Sequence, residues 1–154
     1  MIEFIATDLK FLDKTLLECT FQDGKIYQYD VSKLFSSYPP LKELKTNHDL
    51  FKSGKLDFGG TAIIWNDLLD ISTFDVHEDG VLVGEIETSI NNKIAVLLVK
   101  TMDELGISQT KLSQLSGINQ GDISRIIYGK GNPTLKKIEK LFKALGKQLD
   151  ISVK

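Results

Sequence analysis

The chain has 154 residues, 42% hydrophobic and 26% charged, with a net charge of −2. This is the composition of one ordinary globular domain or two small ones. No run approaches the roughly 18 apolar residues of a membrane helix, Met1-Ile2-Glu3-Phe4 is not a secretory leader, and the single cysteine, Cys19, excludes an intrachain disulfide, so a cytoplasmic protein is expected. Residues 1–80 hold 8 Lys+Arg and 14 Asp+Glu, whereas residues 81–154 hold 11 and 7. An acidic half joined to a basic half points to a polyanionic partner at the basic end only. Eleven of the 13 aromatic residues lie in the first 80. Two cores and two domains are therefore expected, 1–80 and 81–154, joined at the polar turn His77-Glu78-Asp79-Gly80.

The first half reads as a small α+β domain. Thr15 to Phe21 alternates, with Leu17, Cys19 and Phe21 on one face. Asp23-Gly24 suits a tight turn, and Ile26 to Val31 resumes the extended pattern, which predicts a hairpin. A helical turn is expected over Val31 to Phe35, ended by Pro39-Pro40, and another short helix from Leu41 to Leu44. Ala62-Ile63-Ile64-Trp65 reads as a buried strand, and Asp70 or Ser72 can cap a helix beyond it. His48 and His77 have no ligand spacing, and Cys19 falls on an apolar face. Asp67, Asp70 and Asp75 read as a solvated loop, and Gly59-Gly60 lacks the pattern of a phosphate loop. No catalytic constellation, metal site or cofactor site is expected, and the chain is not read as an enzyme.

The second half reads as four helices. Thr88 or Ser89 caps the first, whose expected apolar face is Ile90, Ile94, Leu97, Leu98, Met102 and Leu105, with Gly106 closing it. Ser108 caps the second, with Leu112 and Leu115 as its buried pair and small Ser113 and Ser116 beside a tight turn at Gly117. Asn119 caps the third, with Asp122 in capping-box position. Ile123, Ile126 and Ile127 face inward, which leaves Gln120, Gly121, Ser124, Arg125 and Tyr128 toward the outside or the helix edge. A short helix exposing Gln, Ser and Arg suits a major groove, where these side chains match base edges. After Gly129-Lys130-Gly131-Asn132-Pro133, Thr134 caps a fourth helix with Leu135, Ile138, Leu141, Phe142 and Leu145 on its apolar face and its lysines on a solvated one. Residues 148–153 then alternate as a terminal strand, to pair with 81–86 or with a symmetry mate.

Ser108-Gln109-Thr110-Lys111-Leu112-Ser113, Ile123-Ser124-Arg125 and Gly129-Lys130-Gly131-Asn132-Pro133-Thr134-Leu135 resemble the Xre-type, lambda-repressor-like helix-turn-helix family. With the terminal strand, residues 90–153 are most similar to its antitoxin-repressor branch. The resemblance implies that the third helix enters the major groove and the start of the second contacts the backbone. Gln120, Ser124 and Arg125 would then reach bases, and Gln109, Asn119, Lys130 and Thr134 phosphates. Two departures stand out: Asp122 puts a carboxylate beside the DNA-facing edge, and Ile127 stands where many members carry an acid. Residues 5–78 resemble a family of short bacterial domains of unknown function, some fused to helix-turn-helix domains and some encoded beside toxin–antitoxin genes.

The fold class is thus an α+β domain followed by an all-α helix-turn-helix domain with a C-terminal strand. The expected partner is double-stranded DNA, read by a homodimer at a palindromic site, as in a transcriptional repressor. An antitoxin, whose acidic first domain binds a basic partner protein, and a ligand-sensing regulator are the alternatives.

Overall fold

The computed structural model describes residues 4–154; Met1 to Glu3, on which the expected absence of a leader rests, lie outside them. Two compact units are present, meeting between Thr88 and Ser89.

The N-terminal unit is built on an antiparallel meander: β1 (Ala6–Phe11), β2 (Leu16–Phe21) and β3 (Lys25–Asp30). The predicted hairpin is β2–β3, with Leu17 opposite Tyr29 and Cys19 opposite Tyr27. Gly24 makes the turn possible twice over. Its φ is +87°, and a Cβ there would sit 2.2 Å from the Ile86 carbonyl oxygen. Asp30 then ends β3 and opens a 3-10 turn over Val31–Leu34, its Oδ1 accepting from Ser32 N at 2.9 Å and from Thr15 Oγ1 at 2.6 Å. Burial acts to raise the Asp30 pKa, but these hydrogen bonds and the nearby Lys33 charge outweigh it and hold the carboxyl below its ordinary value.

A second 3-10 turn (Pro39–Lys42) leads to the short helices α1 (Glu43–Thr46) and α2 (His48–Lys52). A smaller sheet follows: β4 (Lys55–Asp57), β5 (Ala62–Asn66) and β6 (Leu69–Ser72), in that order. Ser72 caps α3 (Thr73–Asp79), its side chain accepting from Phe74 N. Leu17, Cys19, Phe21, Tyr29, Phe51, Ile63, Trp65 and Val76 share one apolar core. Within it, Trp65 Nε1 donates to the Phe51 carbonyl at 2.7 Å. Burial pushes the Cys19 thiol up to about 12, with the Asp8 and Glu18 charges adding to it.

The boundary expected at residue 80 moves. β7 (Val81–Glu85) pairs antiparallel with β3 and completes a sheet of order β1-β2-β3-β7. His77 to Asp79 are the last turn of α3, and Gly80 brings the chain against β3, where a Cβ would meet the Val76 carbonyl at 2.2 Å and that of Gln28 at 3.0 Å. The polar turn is therefore a helix end packed within the domain. With the boundary at 88/89 the charge asymmetry sharpens: residues 89–154 hold 11 Lys+Arg against 5 Asp+Glu.

The C-terminal unit consists of α4 (Ile90–Leu105), α5 (Gln109–Ser116), α6 (Gln120–Ile127) and α7 (Leu135–Ala144). Each starts at the expected cap: Ser89, Ser108, Asn119 and Thr134 accept from Asn92, Lys111, Gly121 and Lys137 amides respectively. Ala95, Leu98, Met102, Leu112, Ile123, Ile126, Ile127, Ile138, Leu141 and Phe142 are buried.

Three expectations fail here. Leu115 is exposed, and so are Ile90, Leu97, Leu105 and Leu135. The core of a four-helix unit this small takes only part of each apolar stripe. Residues 148–153 form no strand: residues 148–152 line a groove with the helices α4 and α7, which offer no strand edge, and 81–85 pair with β3 instead, by one edge. Ser113 and Ser116 do more than leave space. Ser113 Oγ donates to the Ile118 carbonyl at 2.6 Å, and Ser116 Oγ donates to that of Leu112 while accepting from Ile118 N at 3.1 Å. These bonds fasten the turn in which Gly117 takes φ +72°.

Candidate nucleic-acid interface

The disposition of α6 follows from its three isoleucines. At 100° per residue, Ile123, Ile126 and Ile127 fall within one arc, and all three are buried. The opposite arc then carries Gly121, Ser124, Arg125 and Tyr128, while Gln120, about 20° from Ile127 on the same wheel, lies at the edge of the buried arc in the open first turn. Gln120 and Arg125 are exposed and Ser124 is half-buried, one helical turn beyond Gln120.

At the entrance to α6, Asn119 Oδ1 accepts from Gly121 N at 2.7 Å, and a Cβ on Gly121 would approach that oxygen to 3.0 Å. The glycine therefore serves the cap, a role the sequence reading missed. The cap uses the Asn119 side-chain oxygen and leaves its amide group as a donor. Gln109 stands at the first position of α5, half-buried behind the Ser108 cap.

The loop after α6 is held at both ends. Lys130 N donates to the Arg125 carbonyl at 2.8 Å, and Asn91 Nδ2 donates to Gly131 O at 3.3 Å. Gly129 and Gly131, at φ +67° and +81°, flank Lys130. Arg125, Lys130 and Lys137 consequently line one shallow cleft of about 190 Å³, together with Asp122 and Asn132. Thr134 borders it as the cap of α7. Its Oγ1 accepts from Lys137 N at 3.1 Å, and its own proton stays available to an acceptor.

Asp122 does not fold back as a capping box. Its Oδ2 lies 3.0 Å from Lys137 Nζ, an ion pair between the first turns of α6 and α7. The carboxylate beside the outward face is thus neutralised by a lysine that the sequence reading left on a solvated face. The signal that would have found Lys137 is its place in the first turn of the helix that directly follows the Lys130 loop. Lys143 is occupied elsewhere: Glu139, one turn earlier, bonds it at 2.8 Å, which raises the ammonium and lowers the Glu139 carboxyl.

Of the seven residues predicted to touch DNA, Ser124 and Arg125 share the outer arc of α6, and Gln120 lies exposed at its first position. Arg125 and Lys130 share the cleft. Asn119 and Thr134 stand at the caps that open α6 and α7, and Gln109 at the start of α5.

Residues 98–151 match the helix-turn-helix family model HTH_3. The C-terminal unit is a helix-turn-helix domain. A stretch of 63 residues is 43% identical to an uncharacterized HTH-type transcriptional regulator from Haemophilus influenzae, covering 40% of this chain and 64% of that one. The chain thus spans just under two thirds of the length of that curated relative. Among solved structures, NE0471 of Nitrosomonas europaea, a candidate DNA-binding protein, aligns over 92% of this chain and 88% of its own, with a TM-score of 0.41 and 16% identity. A likeness that slight carries no argument. The family match lies wholly within the helical unit. No helix among the described residues is long and apolar enough to cross a membrane.

Proposed function

We propose that the chain is a sequence-specific DNA-binding transcriptional regulator that acts as a homodimeric repressor on a palindromic site. The observation that carries this reading is the surface of α6: Gln120 and Arg125 are exposed and Ser124 is half-buried on a helix anchored by three buried isoleucines. Such a helix can enter a major groove without loosening its domain. Gln pairs with adenine and Arg with guanine, each bidentate contact contributing about 1–3 kcal/mol of discrimination. Gln109, Asn119, Lys130 and Thr134 then contact phosphates, which position the domain and carry no sequence information.

One such helix spans only a few base pairs, so useful specificity calls for two of them, about 34 Å apart. Apolar surface on the same unit supports pairing. Ile90, Leu97, Leu135, Leu149 and Ile151 line a groove of about 960 Å³, with Ile90 72% and Leu135 73% exposed. A second copy would cover it.

Fluorescence anisotropy of the full chain on DNA from its own upstream region tests this, at two salt concentrations. Arg125→Ala and Gln120→Ala relax base preference on a folded protein. Lys130→Ala weakens binding to all sequences alike and flattens the salt dependence. Parent-like binding by all three variants would refute the assignment of the reading face.

A further inference from the structure

The sheet of the N-terminal unit ends on a free edge of unusual make-up. β7 is hydrogen-bonded to β3 on one side, and among the described strands none pairs with the other. Natural edge strands are commonly protected by lysine or proline, by other charged side chains, by shortness or by a bulge, and β7 has the last three but neither of the first two. It reads Val81-Leu82-Val83-Gly84-Glu85. A bulge interrupts the strand. Tyr27 pairs with Leu82 and Ile26 with Gly84, so Val83 is the extra residue. Val81, Leu82 and Val83 are 64%, 55% and 46% exposed.

The segment that carries this edge is acidic. Residues 56–92 contain eight Asp+Glu and no lysine or arginine. Glu78 and Asp79 precede β7 and are exposed, and Glu85 lies exposed within it. Two bases from earlier in the chain lie on the β3 side of the strand: Lys25, opposite Glu85 and 4.0 Å from Asp23, and Lys33, which donates to the Asp79 carbonyl at 2.7 Å.

This pattern selects the occupant. In a two-fold antiparallel pairing of β7 with a second copy, laying residue 82 on its counterpart brings Glu85 of one chain up to the start of the other chain's β7, where the end of α3 carries Glu78 and Asp79. Like charges placed opposite one another destabilise a strand pair. A strand that alternates apolar with basic residues meets the same edge without that conflict. We propose that the free edge of β7 binds an extended, lysine- or arginine-bearing segment of a partner protein as an added strand. Backbone hydrogen bonds supply the pairing, Val81 to Val83 the apolar contact, and Glu78, Asp79 and Glu85 the preference for a basic segment. Only residues 86–88 separate this edge from Ser89, the cap of α4. The proposal is independent of the DNA reading, since it uses no residue of α5, α6 or α7.

The test is amide chemical-shift mapping on the nitrogen-15-labelled full chain. It is titrated with a ten-residue peptide alternating Val and Lys, and separately with its Val/Glu counterpart. The expected result is shifts at the amides of 81–86 and 25–28 with the lysine peptide, and at least tenfold weaker binding of the glutamate peptide. Glu85→Lys, on an exposed side chain, cuts lysine-peptide affinity at least fivefold while amides away from the edge keep their positions; Glu85→Gln is the milder second variant should that fold be disturbed. Equal binding of the two peptides, shifts confined to other surfaces, or no shifts would overturn the proposal. So would sedimentation showing a dimer of the full chain that Val83→Lys dissolves, since the occupant would then be a second copy.

Discussion

Replacing Asp122 by Asn tests how the interface manages its own negative charge. The Asp122–Lys137 pair is 3.0 Å long, and its side chains are 45% and 37% exposed. Screening at that exposure limits the pair to about 0.2–1 kcal/mol of stability. The loss of a carboxylate from the first turn of α6 removes about 0.3–1 kcal/mol of helix-dipole stabilisation. The domain should therefore weaken by no more than about 2 kcal/mol and stay folded. On DNA the effect has the opposite sign. Lys137 loses its counter-charge in the cleft that also holds Arg125 and Lys130. If it then engages one further phosphate, the slope of log K against log salt steepens by about 0.9. Between 50 and 200 mM salt that slope corresponds to about a 3.5-fold larger drop in affinity than the parent shows. The gain should appear equally on specific and unrelated DNA, because phosphates carry no sequence. Anisotropy titrations of parent, Asp122→Asn and Lys137→Ala at both salt concentrations measure it. An unchanged slope in Asp122→Asn, on a protein shown to be folded, would refute the idea that this carboxylate restrains the binding surface.

Other predictions concern the N-terminal unit. Gly24→Ala places a side chain at φ +87° with its Cβ 2.2 Å from the Ile86 carbonyl; the backbone strain alone costs about 1–3 kcal/mol, and urea unfolding followed by Trp65 fluorescence should show at least that loss. Cys19 is fully buried with its thiol pushed up to about 12, so a colorimetric thiol reagent at pH 8 should react only after denaturant is added, and prompt labelling of the folded chain would contradict the packing. The lowered Asp30 pKa stabilises the fold above the ordinary carboxylate value, and that contribution is lost as pH falls through the folded-state value. Thr15→Val removes the 2.6 Å hydrogen bond to Asp30, so its destabilisation should be larger at pH 7 than at pH 3; an equal cost at both would show that the carboxylate is not involved.

The elements read most reliably from sequence are those governed by local chemistry. Ser89, Ser108, Asn119 and Thr134 each satisfy a free amide within three residues, so the residue type alone marks the helix start. Asp23-Gly24 and the alternation of Leu17, Cys19 and Phe21 are equally local, and the hairpin forms where they place it. β1, β4 and β6 were not foreseen. β1 reads Ala-Thr-Asp-Leu-Lys-Phe with mostly exposed or half-buried side chains, and three residues suffice for β4, so neither presents a periodic signal. The Asp122–Lys137 pair joins residues 15 apart on two helices, which no spacing rule within one helix can report.

The remaining misreadings share a physical cause. Ile90, Leu97 and Leu135 belong to apolar stripes, residues 148–153 alternate like a strand, and Val81 and Leu82 signalled a strand whose partner was misplaced. Apolar periodicity reports that a side chain is suited to burial; it does not say that the covering surface belongs to the same chain. Within the C-terminal unit the core is already filled by residues such as Leu98, Leu112 and Ile123, and the surplus lies along a groove. On the sheet, β3 satisfies one edge of β7 and leaves the other. The two surfaces differ in what surrounds them. Lys93, Lys143 and Lys147 line the groove alongside Glu139 and Asp150, a mixture of signs that suits an identical copy meeting it about a two-fold axis. The β7 edge lies in a segment of carboxylates alone, which an identical edge would repel. Apolar exposure therefore locates both surfaces, and the surrounding charge is the ground on which self-association is proposed for the groove and a basic partner for the edge.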